Sequence, residues 1–421
     1  MSIIRDGIQS ADLNAPVASP TLNLDFANSQ ELDPRITFTR GSVGTFVNKN
    51  GLIETAPANQ PRFDYDPISG ECRGLLIEES RANLLTSSNS FGSGDTNYGI
   101  TASAAVSPDG TTNASLIFEK TTLSFKLYTQ NITAVIGTTY CGSVFVKYSG
   151  SKLYGRLKVG VNNTIIINLI NGSILSSTGT CGVIPYPNGW YRIYVVWTAT
   201  TTSEGAQIFL MDRTGSNSLY QGDGSSGYYV YGMQVEAGTF PTSYILTTAS
   251  TVTRSADNAS ITGTNFSSWY NQTGSTILCN FNAYNVMSSS FTGVFSIGGP
   301  EPSGLNRIQM LLNGPGGGGT TQPIYHNLYQ NGPNFADYFG FTYRTGLTKN
   351  IMRYKDGDTF VASKDGNINR NSTSRIRTIP LTKTMNSLSI GRVTNYLNGA
   401  ISRFTYYPKA LNDSEIQYLT Q

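Results

Sequence analysis

The chain has 421 residues, enough for two or three domains with full-sized cores. Charged residues make up only 13%, about half the usual quarter, while Gly numbers 44 and Tyr 25, which argues against both a solvated helical protein and a disordered one. A formal net charge of +3 with no basic run leaves no footprint for nucleic acid.

Residues 1–21 are short of large apolar side chains and end in Pro16 and Pro20, so they read as an extended arm that orders only by docking. The opening MSIIRDGIQSADL has no basic-then-apolar leader and no window approaches 18 apolar residues, so no membrane insertion is expected. Residues 22–88 read as a small, turn-rich β module. Thr45-Phe-Val47 runs into an Asn-Lys-Asn-Gly turn, and a second hairpin runs from Arg62–Tyr65 through Asp66-Pro-Ile-Ser-Gly70 to Leu75–Ile77. Glu78–Asn83 reads as a connector.

Residues 89–252 repeat short strands bounded by Gly, Asn or Ser. Leu116–Phe118, Tyr140–Val146, Thr164–Asn168, Trp190–Trp197, Ala206–Leu210 and Tyr228–Val235 are the clearest. No helical period separates them, which predicts a β-sandwich or jelly roll. In MQVEAGTFPTSYI, Met233 and Val235 alternate with Gln234 and Glu236 as a half-buried last strand, which Gly238 and Pro241 end. TTASTVTRSADNA then reads as the connector to a third block, 253–421. Its strands include Ser275–Phe281, Thr292–Ile297, Phe339–Tyr343, Ile351–Tyr354, Thr359–Ala362, Ser387–Ile390 and Gly399–Tyr406. The tail alone reads helical: Asn412 or Asp413 can cap a turn whose Ile416 and Leu419 share a face. The fold class is all-β, a small N-terminal module followed by two sandwiches and a short C-terminal helix.

Catalytic and metal chemistry is hard to place. The single histidine, His326, reads as a loop or packing residue, and Gly222–Ser226 is a turn rather than a nucleophile elbow. Glu78 and Glu79 are adjacent, so on a strand they would face opposite ways and make no acid pair. Asn313–Thr320 is glycine-rich but lacks the Lys-Ser/Thr of a phosphate loop. Asp356, Asp358, Asp365 and Asn367 could touch calcium by composition but fit hairpin turns better, so neither metal nor cofactor is expected. Cys72, Cys141, Cys181 and Cys279 are scattered and read as free thiols, with pairing of Cys141 and Cys181 left open.

The stretch LDPRITFTRGSVGTFVNKNGLIETAPANQPRFDYDPISGECRGLLIEESRANLL resembles the N-terminal module of bacteriophage tail-fibre and head-fibre proteins. QVEAGTFPTSYI, TVTRSAD and PNGWYRIYVVW resemble phrases of the carbohydrate-binding-module-like jelly roll that often follows it. SLSIGRVTNYLNGAISRFTYYPKALNDSEIQYLT is similar to the end of a concanavalin-A-like (laminin-G-like) sandwich. The resemblance implies a virion protein, normally a homotrimer, attached to other virion structural proteins through residues 1–88. It would present its sandwiches to host-surface polysaccharide without being an enzyme. A non-adhesive head-fibre or decoration protein is the alternative, and a polysaccharide depolymerase the second.

A sugar needs an aromatic plate with amides and hydroxyls at its rim. In the third block, Trp269, Tyr270, Tyr325, Tyr329 and Tyr338 fall in loop-like text and are the candidate glycan contacts. Trp190 and Trp197 lie mid-strand and read as core.

Overall fold

The computed structural model describes residues 19–420 apart from 285–290, 299–306, 314–321, 330–340, 344–347, 356–360, 365–366, 370–384 and 394. They are all-β, with short helices at Phe26–Ser29, Gly263–Ser267 and Asp413–Thr420. Two compact units are present. One comprises Thr39–Cys72 and Glu78–Asp257; the other comprises the described residues up to Phe38, Arg73–Ile77 and the chain from Asn258 onward. The stretch read as a separate module at 22–88 is therefore divided between the two units.

The 39–257 unit is a sandwich of two antiparallel sheets. One has six strands in the order Cys181–Tyr186, Trp190–Thr198, Thr139–Tyr148, Gly227–Ala237, Ala114–Glu119, Tyr98–Ala105. The other has five: Leu127–Thr133, Ser203–Leu210, Tyr154–Val159, Asn163–Asn168, Ile174–Thr178. Val144, Val146 and Val235 of the first sheet share a core with Leu157, Ile165 and Ile208 of the second.

The six-stranded sheet is covered on its other face too. Ile53 joins Ala114, Phe145, Trp190, Tyr231 and Tyr244 in a second apolar cluster. Ile53 sits on the hairpin Gly44–Val47/Ile53–Ala56, whose turn was legible as Asn-Lys-Asn-Gly. Gly51 has φ +74° there, and a Cβ would lie 2.4 Å from the Pro67 carbonyl oxygen, so only glycine fits. Ile53 thereby buries against the sheet rather than within its own hairpin. Trp190 and Trp197 are both core.

The other unit pairs Leu22–Leu24 and Arg73–Ile77 with Gly399–Tyr407, which continues through Gly274–Ala283 to Thr348–Lys355. A second sheet runs Asn258–Thr262, Ser387–Ile390, Phe291–Ile297, Arg307–Asn313, Gln322–Tyr329. Phe295 of this sheet meets Phe404 of the first edge-on, with ring centroids 5.1 Å apart. The terminal helix closes its own cap: the Glu415 N–H donates to Asn412 Oδ1 at 2.9 Å and the Asn412 N–H to Glu415 Oε2 at 2.7 Å. Ile416 is buried against Leu278 and Ile351.

Candidate functional site

The five aromatic candidates do not assemble into a plate among the described residues. Trp269 is 3% exposed, with its ring edge-on to Phe266 and to Tyr406, each centroid 4.8 Å away. It lies in the turn that follows the helix Gly263–Ser267, as its loop-like text implied, but its side chain is core, packed on Tyr406 of the Gly399–Tyr407 strand. Tyr270 is half-buried and stacks on Phe266. Tyr325 is half-buried on the strand Gln322–Tyr329, edge-on to Phe291 at 5.4 Å. Tyr329 belongs to the same strand, opposite Arg307, and only its backbone is described. Tyr338 lies outside the described residues, as do Asp356, Asp358 and Asp365. His326 is fully buried on that strand rather than in a loop, and burial pushes its imidazole down to about 3, which keeps it neutral. The four cysteines are free. Among the described residues no three His, Cys, Asp or Glu side chains gather as metal ligands, and no helix is long and apolar enough to cross a membrane.

The densest cluster of charges, in the 39–257 unit, is structural. Arg62 bridges Glu78 at 2.7 Å and Asp257 at 2.5 Å, Arg254 reaches Glu78 at 3.1 Å, and Arg40 reaches Asp257 at 3.2 Å. All five side chains are 4% exposed or less, so no ligand reaches them. Burial alone would raise the Glu78 carboxyl, but Arg254, Arg62 and the Ser243 hydrogen bonds outweigh it and hold the group at about 2.

The closing phrase of the sandwich feeds this clasp. Gln234 and Glu236 are fully buried, correcting the half-exposed strand read for them. Glu236 accepts from the Thr242 N–H at 2.8 Å and its hydroxyl at 2.7 Å, while the Ile245 N–H donates to Gln234 Oε1 at 2.7 Å. Gln234 and Glu236 thus replace the ladder partners that the turn after Gly238 gives up. The phrase is a folded buckle rather than a plain linker.

What remains open in this unit is the outer face of the five-stranded sheet. Strand Tyr154–Val159 alternates half-buried and buried residues, as a sheet solvated on one side must. Its inward residues, Leu157 and Val159, belong to the core, so Tyr154, Arg156 and Lys158 face out. The register lines up two rows across the strands. Leu127, Phe209, Arg156, Ile166 and Ser176 form one. Thr129, Gln207, Lys158, Thr164 and Thr178 form the next.

Ile166, Phe209 and Met211 form a small buried apolar cluster beneath this face, with half-buried Leu127 and Tyr154 packed against it. The Arg156 guanidinium lies 4.8 Å over the Phe209 ring, and its Nε donates to Thr164 Oγ1 at 2.9 Å. Gln207 Nε2 donates to Thr129 Oγ1 at 3.2 Å. Five strands spaced by about 4.8 Å make this strip about 20 Å wide. What the face presents is a guanidinium, an ammonium, an amide and hydroxyls, groups that suit the polar rim of a sugar. None of these residues was singled out in the sequence. The available signal was Tyr-Gly-Arg-Leu-Lys-Val, a period of two that sets both cations on one face.

No protein-family model and no curated protein matches the chain. Solved structures overlap it only loosely. A Ruminococcus gnavus IT-sialidase CBM40 bound to α2,3-sialyllactose is 13% identical at a TM-score of 0.27, covering 36% of this chain and 84% of that one. A binding domain of botulinum neurotoxin DC in complex with SialylT is 12% identical at 0.29, covering 39% of each. A Trypanosoma rangeli sialidase is 13% identical at 0.27, covering 39% of this chain and 26% of that one. Likeness at this level does not extend to a ligand.

Proposed function

We propose that this protein is a carbohydrate-binding adhesin of a virion fibre, holding a host-surface glycan on the open face of its five-stranded sheet. The observation that carries the reading is the uncovered strip itself: Arg156 stacked on Phe209, beside Gln207, Thr129 and Lys158. The central strands of the opposite sheet, Thr139–Tyr148 and Gly227–Ala237, are buried on both faces. Recognition is passive, by shape and hydrogen bonding, with no bond broken in the sugar. The sequence phrases shared with phage fibre proteins supply the virion setting, the homotrimer and attachment to other virion proteins through residues 1–88.

The purified chain is expected to bind immobilised host-surface polysaccharide and to block adsorption of the virus that carries it. Gln207→Ala with Thr129→Ala should weaken that binding about tenfold, the worth of one or two hydrogen bonds. Binding that survives both changes unaltered, or no binding to any glycan, contradicts the reading.

A further inference from the structure

The open face has an uncompensated charge. Its outward positions carry Arg156 and Lys158 and no carboxylate. Glu204, the acid on these five strands, points inward, where Oε1 accepts from the Thr200 and Thr201 N–H groups at 2.9 and 3.0 Å. Asp212, just past the strand end, spends its carboxylate on its own loop: the Thr214 hydroxyl donates at 2.8 Å, and the Ser216 N–H and Asn217 Nδ2 each donate at 3.0 Å. Arg156 is half-buried, and burial lowers its pKa with no acidic neighbour to offset it. Stacking on Phe209 and the Nε bond to Thr164 fix the guanidinium plane, while its two terminal nitrogens make no hydrogen bond to the described chain. A desolvated charge left without a counter-ion is costly, and such groups collect where a ligand supplies the missing partner.

We infer that the ligand of this face is an acidic saccharide whose carboxylate docks on the two terminal nitrogens of Arg156, with Lys158 beside it taking the same or the next acidic unit. A planar guanidinium matches a carboxylate bidentately, which a lysine in its place would not do. Lys158 stands two residues along the same strand, about 7 Å away, near the span of one sugar unit. Gln207, directly across from Lys158, is placed for the ring hydroxyls. This inference rests on the glycan-binding reading above and adds the charge of the sugar.

The test uses the intact chain against polygalacturonate and α2,8-polysialic acid, each beside its carboxyl-reduced form, with dextran as neutral control and dextran sulfate as a non-carboxylate polyanion. The expected result is binding to at least one of the two acidic polymers that falls at least tenfold on carboxyl reduction. It should also fall 10- to 100-fold in Arg156→Gln and in Arg156→Lys, and weaken with added salt. Should Arg156→Gln not fold, Lys158→Gln, at a position without an ion pair, is expected to lose about fivefold. Equal binding of native and carboxyl-reduced polymer, or of dextran sulfate and polyuronate, overturns the inference while leaving the glycan-binding reading standing. No binding to any of these polymers overturns the inference, and the glycan-binding reading falls with it where immobilised host-surface polysaccharide is not bound either.

Discussion

At the scale of single residues, two positions show how much the sandwich depends on what a side chain would meet. Gly238 has φ +141°, and a Cβ there would fall 1.6 Å from Nη1 of Arg81. Arg81 cannot retreat cheaply, because it lies 4.9 Å over the Phe240 ring and is bridged to Glu79. Gly238→Ala is therefore expected to cost about 3 kcal/mol, read as a fall in chemical-denaturation midpoint. Gly137→Ala makes the matched control: φ is +83° but nothing lies within 4 Å, so only backbone strain of about 1 kcal/mol should appear. Equal losses in the two variants would show that collision with Arg81 is not the cause.

Trp269 poses a second residue-scale question, because its aromatic ring made it a glycan candidate. Buried against Phe266 and Tyr406, it should behave as core: Trp269→Ala is expected to lose about 3–5 kcal/mol of stability. Where the variant still folds, glycan affinity should not change. A folded variant of normal stability that no longer binds sugar would return Trp269 to the site.

At the scale of elements, local signals succeed where a local interaction closes the structure. The terminal helix was legible because Asn412 or Asp413 could cap a turn whose Ile416 and Leu419 share a face, and the structure makes Asn412 the cap, joined reciprocally to Glu415. Asn412→Ala is expected to cost about 1 kcal/mol, with fraying of Asp413–Thr420 visible as faster amide exchange there. Strands with apolar runs were equally legible. Trp190–Trp197 and Tyr140–Val146 carry Trp, Tyr, Ile, Val and Phe at strand length, and their strands are central enough in the sheet to bury most of them. Tyr154–Val159 escaped because Arg156 and Lys158 stand at its outward positions, leaving only Leu157 and Val159 as aliphatic signal. The division into units was illegible for another reason. Ile53 buries against residues between 114 and 244, and no local pattern announces a partner so far along the chain.

At the scale of the molecule, the 39–257 unit closes on itself through charge as well as apolar area. Arg40 and Arg62 come from its first stretch, Arg254 and Asp257 from its last, and Glu78 from between. Such a network gains little over an apolar core but is expensive to break, since removing one member strands another buried charge. Its pH dependence has a definite sign. The Glu78 carboxyl is held at about 2 in the folded chain against an ordinary 4.5, so its contribution is complete above about 4.5 and is lost as pH falls through 2. That difference corresponds to about 3 kcal/mol. Denaturation of the wild-type unit should therefore become steadily easier between pH 4.5 and 2. Glu78→Gln should start about 3–5 kcal/mol lower at pH 7 and lose the part of the acid slope that Glu78 supplies. Because Arg156 and Lys158 lie on the five-stranded sheet, which supplies no member of the charge cluster, a Glu78→Gln chain that remains folded at pH 7 should still bind glycan with unchanged affinity. Loss of binding in that folded variant would mean that clasp and open face are coupled. An acid slope identical to wild type would mean that Glu78 does not carry the titration.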